Sequence, residues 1–128
     1  MSHYFSEKQE VKSDRKIIKY EIENKSFEFV TDNGVFSKTK VDFGTDVMLK
    51  VFLRENLDKK SQKFDILDIG CGYGVVSVVV KSFFKNARTV SSDVNERALE
   101  LTRENLFKNG VVKSNNSEND DFKNGDFK

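Results

Sequence analysis

The 128-residue sequence contains no proline, so any catalytic signature that requires proline is absent from it. It has one cysteine, Cys71, and one histidine, His3. A single cysteine excludes a disulfide within the chain and fits a reducing compartment. So few His and Cys give no metal-ligand spacing, and no metal site is expected. Cys71 has no histidine near it in sequence and is expected to be a small loop residue, not a catalytic thiol. Long apolar runs are also missing. Val75 to Val80, interrupted by Ser77, falls far short of the about 20 residues that a membrane span needs. Met1-Ser2-His3-Tyr4-Phe5 is not a signal peptide, so no membrane association is expected and a cytoplasmic location is. Charge of one sign is lacking too. Lys and Arg number 22 against 21 Asp and Glu, a net charge of +1, which excludes a generally basic nucleic-acid coat.

What is present can build a core. The hydrophobic class is 37% and includes twelve Phe, enough for one domain and no more. Ile18, Tyr20 and Ile22 alternate with charged residues, and Phe27 and Phe29 continue the period of two. This predicts a β-hairpin over 17–31 that turns at Asn24-Lys25, with Asp32-Asn33-Gly34 as a second turn. Lys12, Arg15, Lys16 and Lys19 read as a solvated basic face. Gly44-Thr45-Asp46 reads as a helix start with Thr45 as N-cap. Asp65 to Ile69 is a short apolar segment ending in glycines, the pattern of a buried parallel strand. Residues 75–85 are rich in valine yet place Val76, Val79, Val80, Phe83 and Phe84 on one helical face, which predicts a helix. Arg88 to Ser92 follows as a strand, and Glu96 to Lys108 as a helix stopped by Asn109-Gly110. The order is that of a parallel α/β unit. Residues 113–128 carry only Phe122 and Phe127 as large apolar side chains and are expected to form a disordered tail beyond a domain of residues 1–112.

The informative segment is Asp-Ile-Gly-Cys-Gly-Tyr-Gly, Asp68 to Gly74, between a strand and a helix. Glycines there let a ligand approach the backbone, and in an open α/β sheet that crevice is the default ligand site. Nineteen residues beyond Gly74 stands Asp93, placed to accept hydrogen bonds from ribose hydroxyls. The dinucleotide fingerprint would need a small residue where Val75 stands, which argues against a nicotinamide oxidoreductase. An acid two positions before the first glycine suits a cofactor that carries an ammonium group, and S-adenosylmethionine (SAM) fits.

In these segments the chain resembles the small-domain class I methyltransferases related to bacterial enzymes that methylate guanine N2 in small-subunit ribosomal RNA. The resemblance covers residues 3–112 and rests on four segments. These are His-Tyr-Phe-Ser near the start, Asp32 to Thr45, Asp68 to Gly74, and Asp-Val-Asn-Glu-Arg-Ala-Leu over 93–99. It implies a Rossmann-like domain behind an N-terminal hairpin, with SAM as cofactor and ribosomal RNA as substrate. By resemblance, Gly70, Gly72 and Gly74 cradle the cofactor, with Asp68 at its amino-acid end. Asp93 holds the ribose, and Val94 and Asn95 flank the adenine. Asp42 to Thr45 lie near the methionine end. A third acidic position falls on Asp120 by counting. The family's Asn-Pro-Pro-Phe-like catalytic turn has no counterpart, so no catalytic residue is assigned. Only two or three of the family's seven strands have counterparts, so the C-terminal strands are missing and strand 65–69 should be an exposed apolar edge. The expected molecule is the N-terminal part of a longer enzyme, with little or no methyl transfer of its own. The rivals are a degenerate SAM- or partner-binding module and a fragment completed by a complementing chain.

Overall fold

The computed structural model describes residues 11–113 and the backbone of 121–124. The predicted hairpin is present as β1 (Lys16–Ile22) and β2 (Lys25–Thr31), antiparallel with Ile18 opposite Phe29 and Tyr20 opposite Phe27. Its turn falls on Glu23-Asn24, one residue earlier than predicted. Both residues have positive φ, 48° and 65°, as a two-residue turn matched to strand twist requires.

Helix α1 (Phe43–Asn56) starts before the position expected from sequence. Asp42, not Thr45, is its N-cap, and its carboxylate accepts the Thr45 N–H at 3.1 Å. Asp provides two acceptor oxygens and a favourable charge at the helix N-terminus, so it wins that position. Leu49 and Leu53 point into the core, whereas Val47, Met48 and Val51 are exposed.

Strand β3 (Phe64–Ile69), helix α2 (Val75–Phe83), strand β4 (Ala87–Asp93) and helix α3 (Glu96–Lys108) follow as predicted. Helix wins over valine's strand propensity in α2 because this helix lies between α1 and α3 and buries Val75, Val78, Val79, Val80 and Phe83. Phe84 packs edge-on against Phe52 and Phe64, at 5.6 and 5.4 Å between ring centroids.

The tail departs from expectation. Asp121–Asn124 form a third parallel strand, β5, giving the order β3-β4-β5. The pairing is main-chain to main-chain along β4, so a polar sequence can make it. Helices α2 and α3 contact each other and both contact β4, so they lie side by side on the sheet. On β3, Phe64, Ile66 and Asp68 face the helices, while Leu67 and Ile69 on the other face are 54% and 69% exposed. The strand predicted to be buried is therefore an edge covered on one face only, the apolar edge that the sequence also suggested.

Candidate functional site

The glycine segment 70–74 crosses from β3 to α2 and is fastened to β4. Gly70 and Cys71 both donate their N–H groups to the Ser92 carbonyl, at 2.7 and 2.9 Å. Gly70 and Gly72 have φ of 73° and 57°, and no heavy atom lies within 4 Å of where a Cβ would stand on either. The open side of both residues is therefore available to a ligand.

Asp93, at the end of β4, uses its carboxylate to hold the loop. One oxygen accepts the Gly72 N–H at 3.0 Å and the other accepts the Asn95 N–H at 2.9 Å. Asn95 is the N-cap of α3 and accepts the Arg97 N–H at 3.0 Å. Its amide also donates to the Gly34 carbonyl at 3.0 Å, which ties the 34–42 loop to the N-terminus of α3. Tyr73 supports the same loop by donating its hydroxyl to the Ser37 carbonyl at 3.0 Å.

Between the two loops lies a cavity of about 300 Å³. Thr45, Asp68, Gly70, Gly72, Asp93 and Asn95 all line it. Gly74, the remaining candidate, does not. Its φ is 99° and it caps α2 where a Cβ would meet Thr102 backbone at 3.0 Å, so it allows α2 to approach α3. Asp120 and His3 lie outside the described residues.

Asp68 is buried and accepts the Ser77 hydroxyl at 2.8 Å, with Ser91 a further 3.0 Å from that hydroxyl. Burial pushes its carboxyl above the usual carboxylate range and the nearby Asp93 charge adds to this, while the Ser77 donors oppose it. The folded protein therefore keeps the Asp68 proton over a pH range in which the unfolded chain has lost it. Stability from this group is complete below pH 3.8 and is lost as pH rises through the folded pKa. Asp68→Asn is expected to resist urea better than the parent at pH 7, with the difference closing below pH 3.8. A variant weaker than the parent at pH 7 would refute the burial penalty.

Cys71 is buried, and the Thr102 hydroxyl sits 3.3 Å from its sulfur and 2.9 Å from the Gly72 carbonyl. Burial pushes the thiol up to about 12, which fits a loop residue and not a nucleophile. No group of three His, Cys, Asp or Glu able to hold a metal occurs among the described residues, and none of their helices is long and apolar enough to cross a membrane.

Some residues that shape the cavity gave no clear signal in sequence. Arg97 donates to the Asn33 and Val11 carbonyls, both at 2.7 Å, and pairs with Asp32 at 3.6 Å. Burial works against ionisation of Asp32, but donors from Ser13, Asp14 and Asn33 and the charge of Arg97 outweigh it and hold the carboxyl below its ordinary range. A cation in the first turn of a helix opposes the helix dipole, and that was the only hint that Arg97 is held by other groups. Within the basic stretch, Arg15 pairs with Glu104 and Lys16 with Asp14.

Comparison with known proteins agrees with this arrangement. The chain is 40% identical over 124 residues to the uncharacterized Bacillus subtilis protein YbxB, covering 97% of this chain and 59% of that relative. It is 37% identical over 78 residues to ribosomal RNA small subunit methyltransferase C of an Enterobacter strain, covering 61% of this chain and 21% of the relative. A T. thermophilus 16S rRNA N2 G1207 methyltransferase, solved in complex with AdoMet and guanosine, shares the fold with a TM-score of 0.65 at 20% identity. That match covers 72% of this chain and 24% of the solved one. The chain thus spans 59% of one of these relatives and about a fifth to a quarter of the other two. The model of the methyltransferase small domain matches residues 26–126. With the glycine loop, the spaced aspartates and the β-α-β frame in place, the chain belongs to the methyltransferase small domain family.

Proposed function

We propose that the cavity binds S-adenosylmethionine and that this part of the protein is the cofactor half of a ribosomal RNA methyltransferase acting on guanine N2. One observation carries this reading: two carboxylates, Asp68 and Asp93, face a single cavity floored by glycine backbone. The cavity volume is at the lower end of the range for small-molecule sites. Asp93 would accept the ribose hydroxyls, and Asn95 would lie beside the adenine. Asp68 and the Gly70–Gly72 backbone would receive the amino-acid end, with Thr45 close to it. Gly74 would act indirectly, by letting α2 close against α3. When bound, SAM supplies an electrophilic methyl group. This chain's residues would bind and orient it, and orientation is a large part of what such a transfer needs.

Residues 1–128 contain no Asn-Pro-Pro turn to hold a target amine. The uncovered face of β3 with Leu67 and Ile69, and the exposed Val47, Met48 and Val51 of α1, would suit a further strand and helix. A complementing segment or chain would supply them. Ribosomal RNA as substrate places the parent reaction in the cytoplasm. Calorimetric titration of the 128-residue chain with SAM is expected to give one-to-one binding. Labelled methyl from SAM is expected not to transfer to ribosomal RNA. Absence of binding heat would count against the site, and transfer above background would count against the half-enzyme reading.

A further inference from the structure

The two edges of the hairpin are finished differently. On β2, Val30 and Glu28 turn their main-chain groups away from β1, and the side chains of Asn105 and Asn109 satisfy them. Ile17 and Lys19 of β1 stand opposite Val30 and Glu28. Antiparallel pairs alternate between bonded and non-bonded, so Ile17 and Lys19, and Glu21 two residues on, turn their own N–H and C=O groups away from β2. Among the described residues β1 pairs with β2 alone, and no side chain closes its outer side as the two asparagines close β2. That open edge is also held in place, because Tyr20 at the middle of β1 donates its hydroxyl to Asp46 of α1 at 2.6 Å.

An open edge is a template for another strand, and the side chains along it select which one. Ile17, Lys19 and Glu21 are all exposed, Ile17 at 59%. Their charge pattern is self-complementary. When two β1 strands pair antiparallel about a two-fold axis, the outward residues oppose one another. An axis at Lys19 or at Glu21 sets like charges together. An axis at Tyr20 sets Lys19 of each copy opposite Glu21 of the other, which gives two pairs of opposite charge. The same register sets Ile18 opposite Ile22 twice, on the face of β1 that meets the core. The product is a four-stranded antiparallel sheet in the order β2-β1-β1-β2, and a sheet of that width is firmer than a two-stranded hairpin. A nucleic acid cannot extend a β-ladder, and Glu21 would repel its phosphates.

We propose that the chain forms a symmetric dimer through its β1 edges, with Tyr20 at the two-fold axis and Lys19 paired to Glu21 of the second copy. The dimer does not depend on the cofactor reading. Strand β1 belongs to a different sheet from β3, so the bare face of β3 takes no part in it.

Sedimentation equilibrium of the 128-residue chain is the test. The parent is expected to dimerise with a dissociation constant in about the micromolar range, as a contact built on one strand pair allows. Lys19→Glu makes both charge pairs acidic and Glu21→Lys makes both basic, so each should weaken the dimer by about tenfold or more. The double exchange Lys19→Glu/Glu21→Lys should bring it back to within about threefold of the parent. An equimolar mixture of the two single variants should form a heterodimer, because each then offers the other opposite charge at both positions. Lys19 and Glu21 are exposed, so far-UV circular dichroism of every variant should match the parent and separate loss of association from loss of fold. Leu67→Lys, on the bare face of β3, probes the other apolar surface and should leave the dimer unchanged. A parent that stays monomeric at roughly 200 µM would overturn the proposal. So would single exchanges that leave the dimer intact, a double exchange that fails to restore it, or loss of the dimer in Leu67→Lys.

Discussion

Replacing Asn105 with alanine is expected to remove about 4 kcal/mol of folding stability, a large share of the 5–15 kcal/mol typical of a domain. Asn105 on α3 is fully buried, yet it is polar. Its amide takes the place of a neighbouring strand. The side-chain oxygen accepts the Val30 N–H at 2.8 Å, and the side-chain nitrogen donates to the Val30 carbonyl at 3.0 Å and the Tyr73 carbonyl at 2.8 Å. One side chain therefore satisfies the outer edge of β2 and ties it to the glycine loop. Without it, one donor and two acceptors are left buried and unpaired, each at a penalty of about 1–3 kcal/mol. Asn105→Leu restores volume but not the bonds and should remain destabilised by roughly 3 kcal/mol.

Asn109, one turn along, pairs with Glu28 in the same way, donating at 2.8 Å and accepting at 3.1 Å. That pair is exposed, so water can replace it, and Asn109→Ala should cost under about 1 kcal/mol. Urea unfolding of the three variants gives the comparison. Equal losses at 105 and 109 would show that burial of the unpaired groups does not set the cost.

Asp93→Ala is expected to weaken SAM binding by about a hundredfold or more. A carboxylate accepting two ribose hydroxyls makes charge-assisted bonds of about 1.5–3 kcal/mol each, and both are lost together. The same side chain holds the Gly72 and Asn95 N–H groups, so the loop that floors the cavity also loosens. Adenosine, which lacks the methionine moiety, separates the roles of the two aspartates. Asp93→Ala should weaken adenosine and SAM alike. Asp68→Asn should weaken SAM and leave adenosine nearly unchanged, because Asp68 is assigned to the ammonium end. Calorimetry with both ligands decides the matter. Retention of SAM affinity within tenfold by Asp93→Ala would remove Asp93 from the site, and equal losses for both ligands in Asp68→Asn would remove the ammonium assignment.

Much of the frame was legible because its signals are local. A two-residue period marked the hairpin, and a 3.6-residue period marked α2 against its valine content. Glycines marked where β3 stops, and good helix formers followed by Asn109-Gly110 marked α3. The site was legible for the same reason. Asp68, Gly70 and Gly72 lie in one short turn, and Asp93 is at a distance set by a helix and a strand.

Other features depended on partners far along the chain. Asn105 reaches back 75 residues to Val30, and Asn109 reaches 81 to Glu28. In sequence Asn105 is an ordinary polar position on a helix, and Asn109 reads only as the helix stop. Gly74 looked like its two neighbours in the loop, and only the approach of Thr102 gives it a different task. Strand β5 escaped because backbone pairing with β4 leaves no apolar pattern to read.

The sequence by itself determined the parallel β-α-β frame, the glycine turn and the two spaced acids, because each follows from nearest neighbours or from a period. Tertiary structure decided which of these residues share a cavity, which glycine merely supports packing, and which face of β3 stays bare. It also left the Phe36 ring in solvent where it lines the cavity. Exposure and burial are properties of what packs against a side chain, and that is settled only when distant segments meet.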